Sequence, residues 1–103
     1  SFEFAAAHQV RPDAETLCAM MRALTGKDKL EILRRCAAEP FSAAQLAASM
    51  NLNSGTVSRN VYGLYKLGYL ETRGDGERVN YITRPDALER LFHWVLEYVS
   101  EQK

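Results

Sequence analysis

Two stretches with helical apolar spacing, residues 42–50 and 54–67, are separated by only three residues, Asn51-Leu52-Asn53. A link so short makes the two helices cross at once and bury their apolar sides together. Ser42 reads as the N-cap of the first stretch, which turns Leu46 and Ala47 inward. Asn tolerates left-handed backbone better than other non-glycine residues, so a tight turn is expected at 51–53. Asn53 or Ser54 then caps the second helix, whose apolar stripe is Val57, Val61, Leu64 and Leu67, and Gly68 stops it. Ala47, ten residues before Val57, is small enough for a close crossing. The opposite face of the second helix carries Arg59, Tyr62 and Lys66.

The flanking segments supply the rest of a small domain. Arg11-Pro12-Asp13 opens a helix, with Asp13 and Glu15 favoured in its first turn, that runs to about Leu24 and breaks at Thr25-Gly26. A second helix covers about residues 27–38, with Leu30, Leu33 and Ala37 on its inner stripe and Arg34 and Arg35 facing water. Glu39-Pro40 ends it. After Gly68, two β-rich runs, 69–73 and 78–83, flank Gly74-Asp75-Gly76-Glu77 and read as a hairpin. Pro85-Asp86 opens a last helix to about Val99, striped by Leu88, Leu91, Phe92, Val95 and Val99. The order predicts a mainly α fold with a small β-hairpin: a winged helix-turn-helix of about five helices plus a two-stranded wing over 69–84. Residues 1–11 are expected to be an extension or linker and 12–103 the winged helix. The chain starts at Ser1, so a removed initiator and an upstream domain both stay open.

At 103 residues, 47% of them hydrophobic and 25% charged, one globular domain is the expected organisation. No apolar run nears the roughly 18 residues of a membrane span, and no signal-peptide pattern opens the chain. Two cysteines make no disulfide framework, which points to a reducing, cytoplasmic setting. Cys36 and Cys18 are each expected as small core residues, with dimer packing the alternative for Cys18. His8 and His93 sit in no metal-ligand spacing, so no metal and no cofactor is expected. Neither a nucleophile–base pair nor a phosphate-binding glycine loop is present, so catalysis is not expected. The balance of 13 basic and 13 acidic residues argues against binding by bulk charge. It is uneven along the chain: residues 53–84 are net +2, residues 85–103 net −2 and residues 1–52 neutral.

In a helix-turn-helix the second helix offers its N-terminal residues to base edges in the major groove. Ser54, Thr56, Ser58 and Arg59 are candidates for that role, with Tyr62 and Lys66 further along and Arg73 and Arg78 on the wing for phosphates. The plainer alternative is a capped, solvated helix and a hairpin edge blunted by arginines. The last helix carries more apolar surface, at Phe92, Trp94, Val95, Tyr98 and Val99, than one narrow stripe needs. A homodimer through the first and last helices is expected, using Leu17, Met21, Leu88, Phe92, Val95 and Val99, to fit a pseudo-palindromic double-stranded DNA site.

The segment Thr56-Val57-Ser58-Arg59, framed by Leu46-Ala47 and Leu52 and followed by Leu64 and Leu67-Gly68-Tyr69-Leu70, resembles the ArsR family of bacterial winged-helix repressors. Leu24 through Leu33 resembles that family's helix-opening segment, with Gly26-Lys27 where it usually has Asp-Pro. Glu77-Arg78-Val79-Asn80-Tyr81 resembles its wing. The likeness spans roughly residues 17–99, and related winged helices share most of its motifs. It implies a dimeric DNA-binding regulator and adds Asn60, where the family often has His, to the candidate DNA contacts. The acids of Gly74-Asp75-Gly76-Glu77 make the wing tip less basic than the family's. The family's metal-sensing positions are not matched: Ala43-Ala44-Gln45-Leu46 holds no ligand, and Asp86, His93 and Glu97 lack the spacing. The competing expectation is a winged-helix protein-interaction module, or a domain of a larger protein, without DNA binding.

Overall fold

The structure is a computed structural model that describes residues 10–74 and 78–101. The expected extension before Val10, with His8, and the hairpin turn at 75–77 lie outside the described residues. Within them the order is α1 (Ala14–Arg22), α2 (Lys27–Ala38), α3 (Ala43–Met50), α4 (Ser54–Lys66), β1 (Leu70–Arg73), β2 (Asn80–Thr83) and α5 (Pro85–Ser100).

Each helix begins where its sequence supplies a cap or a break. Asp13 accepts the Thr16 amide at 2.9 Å and starts α1, satisfying a donor the helix itself cannot. Gly26, at φ +126°, turns the chain into α2 without a side-chain cap. Ser42 and Gln45 form a reciprocal capping box at α3, the Gln45 amide to Ser42 Oγ at 3.1 Å and the Ser42 amide to Gln45 Oε1 at 2.9 Å. Pro85 occupies the first turn of α5, where its missing N–H is harmless.

The tight turn forms as expected and its chemistry is specific. Asn51 sits in the left-handed region at φ 54°, and the Leu52 amide bonds back to the Ala47 carbonyl at 3.0 Å. This reverses the chain at once, so α3 and α4 pack against each other, with Leu46 and Ala47 of one and Val57, Val61 and Leu64 of the other buried. Gly68, at φ +85°, ends the turn after α4, and Tyr69 follows into the core. Its ring is fully buried while its hydroxyl donates to the Met20 carbonyl at 3.2 Å, tying the end of α4 to α1. Burial raises the Tyr69 phenol above its ordinary range, so it stays a neutral donor.

β1 and β2 pair antiparallel in the register Leu70–Thr83 to Arg73–Asn80. The hairpin does not hang free. Phe41, just before α3, bridges to Tyr81 with bonds of 2.7 and 3.2 Å, and the Thr83 hydroxyl donates to the Leu33 carbonyl at 2.7 Å. The wing base is therefore fixed to both α2 and the entry of α3.

Four expectations need correction. The inner face of α2 is Ile32, Leu33 and Cys36, whereas Leu30 is 57% exposed and Ala37 is also outside. Packing of α2 against α4 and β2 turns the helix toward its β-branched and thiol residues, and Leu33 alone is shared with the expected stripe. Arg35 on the same helix is half-buried rather than solvated, donating to Glu31 at 2.7 Å and to Ser49 of α3 at 2.9 Å. On α5 the buried set is Ala87, Leu91 and Trp94, while Leu88 and Val95 are half-buried and Phe92 and Val99 exposed. Cys36 lies in the core, its thiol pushed up to about 11 by burial, but Cys18 is exposed and is no core residue.

Candidate nucleic-acid interface

The first turn of α4 is prepared by Asn53, whose side-chain oxygen accepts from the Gly55 amide at 2.8 Å and the Thr56 amide at 3.3 Å. Immediately beyond, Arg59 folds back along the turn, its guanidinium donating to the Thr56 hydroxyl at 3.4 Å. Gly55 makes room for both. A Cβ there would stand 3.0 Å from Asn53 Oδ1 and 3.5 Å from Arg59 Nη1. Gly55 is not among the residues singled out from the sequence; its signal is a glycine in the first turn, where a cap and a returning long side chain compete for one space.

The electrostatics of this turn favour an anion. The N-terminus of a helix carries partial positive charge, and Arg59 adds a full one beside it. No carboxylate occurs anywhere in residues 54–66, and among the described residues none pairs with Arg59. Ser54, Ser58, Arg59, Tyr62 and Lys66 are exposed, and Thr56 and Asn60 are half-buried on the flanks. Arg59, Tyr62 and Lys66 share the face opposite Val57, Val61 and Leu64.

On the hairpin, Arg73 and Arg78 are both exposed and stand toward its turn end. Gly74, at φ +96°, lets the strands come together there; a Cβ would collide with the Arg78 carbonyl oxygen. A cleft of about 340 Å³ lined by Ser42, Ala44, Gln45, Arg78, Val79 and Asn80 sets Arg78 beside the first turn of α3. The fold thus brings Arg78 to the helix-turn-helix side of the domain.

The residues expected at a dimer contact divide into two groups. Leu17 is only 2% exposed and belongs to the protomer core. Met21, Leu88 and Val95 are half-buried, and Phe92 and Val99 are open. Leu96, not singled out from sequence, is 63% exposed and joins Phe92 and Val99 at i, i+4, i+7 spacing. The apolar arc of α5 therefore runs without interruption from the core, through Leu88 and Val95, to solvent. Beside it an apolar cleft of about 200 Å³ opens between α1 and α5, with Cys18, Met21, Val95 and Val99 in its walls. Arg11 fastens the chain before α1 to the end of α5, donating to Glu97 at 2.9 Å and Glu101 at 2.8 Å and lying 5.4 Å over the Tyr98 ring.

Among the described residues, no group of three His, Cys, Asp or Glu side chains could hold a metal ion, and no helix is long and apolar enough to cross a membrane. Asp86 is engaged with Arg84 at 2.6 Å, and His93 faces Glu97 at 3.9 Å.

No protein-family model matches the chain, and no curated protein matches it by sequence. Solved structures do. An ArsR-like transcriptional regulator from Rhodococcus sp. RHA1 aligns over 82% of this chain and 78% of its own, at 21% identity and a TM-score of 0.70. The transcriptional repressor BigR from Xylella fastidiosa aligns over 87% of this chain and 91% of its own, at 17% identity and a TM-score of 0.62. The homodimeric winged helix-turn-helix DNA-binding domain Mb0332 from Mycobacterium bovis, a possible ArsR-family regulator, aligns over 91% and 94%, at 20% identity and a TM-score of 0.59. At such identities the likeness is one of architecture: this chain has the winged helix-turn-helix fold, named for Mb0332.

Proposed function

We propose that this chain is a DNA-binding transcriptional regulator. In this reading α4 lies in the major groove and presents Ser54, Thr56, Ser58 and Arg59 to base edges, with Asn60 on the flank. Arg73 and Arg78 of the wing, 69–84, meet the flanking backbone. Two copies pair through α1 and the outer arc of α5, so that two recognition helices face the half-sites of a pseudo-palindrome. The observation that carries the proposal is the outer face of α4: it is free of carboxylates, capped by Asn53, and holds Arg59 over a helix N-terminus. The family likeness of the fold and the homodimeric state named for Mb0332 agree with it.

A chain with no net charge has little bulk attraction for phosphate, so non-specific affinity should be modest and the specific complex should depend on a few placed side chains. Selection from a randomised duplex library at low salt tests this directly. A recovered site with two-fold symmetry is expected, and Arg59→Ala should weaken binding to it by about 1–3 kcal/mol. A wild-type protein without preference for any sequence would remove the proposal.

A further inference from the structure

Arg59 is the only charged residue between Ser54 and Tyr65, and the turn before it sets where its side chain lies. Residues three and four apart are neighbours on a helix, so Arg59 stands beside Thr56 and Gly55. The Thr56 hydroxyl accepts from Arg59 Nη2 at 3.4 Å, and Nη1 stands 3.5 Å from where a Gly55 Cβ would be. A hydroxyl on one side and a missing side chain on the other let the guanidinium lie back over the first turn of α4. Among the described residues no carboxylate pairs with it.

We infer that Thr56 is a positioning residue for Arg59, and that Arg59 so held reads one guanine in each half-site. The inference rests on the proposal that α4 enters the major groove. It names the base met there, and it makes Thr56 a support for Arg59 rather than a reader in its own right. Chemistry selects the base. A guanidinium carries donors only, and guanine alone offers two adjacent acceptors, N7 and O6, on its major-groove edge. Adenine sets a donating amino group beside N7, cytosine offers a donor, and thymine sets a methyl group beside O4. Place selects a base over a phosphate, because Arg59 reaches back over the N-terminal turn, the part of a recognition helix that meets base edges. Thr56 takes up one of the five guanidinium N–H groups, so a bidentate pair can still form. Holding a long side chain in place before binding lowers the ordering cost of the complex.

The test measures affinity for the duplex recovered by selection and for every single base-pair change in it. With wild type, one position per half-site should require G·C, the other pairs there costing roughly 5- to 150-fold. Arg59→Ala should flatten that position and leave the preferences elsewhere in place. Thr56→Val keeps the shape of the side chain and the amide that Asn53 caps, but loses the hydroxyl. It should shrink the same preference by about threefold, and Thr56→Ser should restore it. In an Arg59→Ala background, Thr56→Val should change nothing further at that position, a coupling that a merely structural role would not produce. Unchanged preference in Thr56→Val, or a loss at a different position, overturns the positioning role. An Arg59→Ala protein equally weakened on every duplex, or a flattened position that is not G·C, overturns the guanine assignment while the DNA reading stands. Wild-type protein without preference for any duplex overturns the DNA reading and the inference with it.

Discussion

Asn51 is the residue on which the helix pair turns. It is the one non-glycine residue with positive φ among the described residues, and the back-bond from Leu52 to Ala47 depends on that conformation. Left-handed backbone costs a β-carbon-bearing residue about 1 kcal/mol or more, less for Asn and least for Gly. Asn51→Ala should therefore lower unfolding stability by about 1 kcal/mol, and Asn51→Gly should be neutral or stabilising, in paired urea titrations. Equal midpoints for the two variants would mean that the turn is held by something other than its dihedral. The position is legible from the amino-acid order alone, because a turn of three residues between helical stretches leaves few residue types able to reverse the chain. Gly55 is not. Glycine inside a helix signals only through what surrounds it, and those neighbours are known once the helix has a direction in space.

At the scale of elements, caps and breaks locate every helix, while apolar spacing misjudges two of their faces. For α4 the stripe Val57, Val61, Leu64 is unambiguous because every alternative position is polar, tyrosine or glycine. For α2 the choice lies between Leu30 with Ala37 and Ile32 with Cys36, and the wing decides it, through Thr83 on the Leu33 carbonyl. On the same helix, i,i+3 and i,i+4 spacing places Glu31 beside two arginines. Hydrogen bonds from Arg34, at 2.9 and 3.0 Å, and from Arg35, at 2.7 Å, hold its carboxyl down to about 2 from an ordinary 4.5. A carboxyl depressed by folding contributes stability that is fully present above its unfolded value and is lost as pH falls through its folded one. The loss should fall between about pH 4.5 and pH 2. Melting temperatures of wild type and Glu31→Gln should thus converge on acidification across that window. A constant gap would show that the cluster makes no pH-dependent contribution.

At the scale of the molecule, a neutral domain needs more than its own charge to hold a specific DNA site. Residues 53–84 carry the excess of two positive charges and residues 85–103 the compensating acids, so under the proposed function a single copy should engage phosphate weakly. Coupling two copies converts the second half-site into an intramolecular encounter and raises affinity without any further base contact. The outer arc of α5 is the surface proposed for that coupling, and its centre is Leu96, flanked by Phe92 and Val99. Because Leu96 is 63% exposed, Leu96→Glu should leave the protomer fold and its melting cooperativity intact. Placed at a two-fold contact, the same substitution puts two carboxylates against apolar surface and each other. Wild type should then sediment at twice the 11.6 kDa chain mass and Leu96→Glu at the single mass. The variant's affinity for a full palindrome should fall to that for a half-site, a loss of at least about a hundredfold. A Leu96→Glu protein that keeps the double mass would move the contact off α5, and a wild type that binds the palindrome as a single chain would remove the need for one.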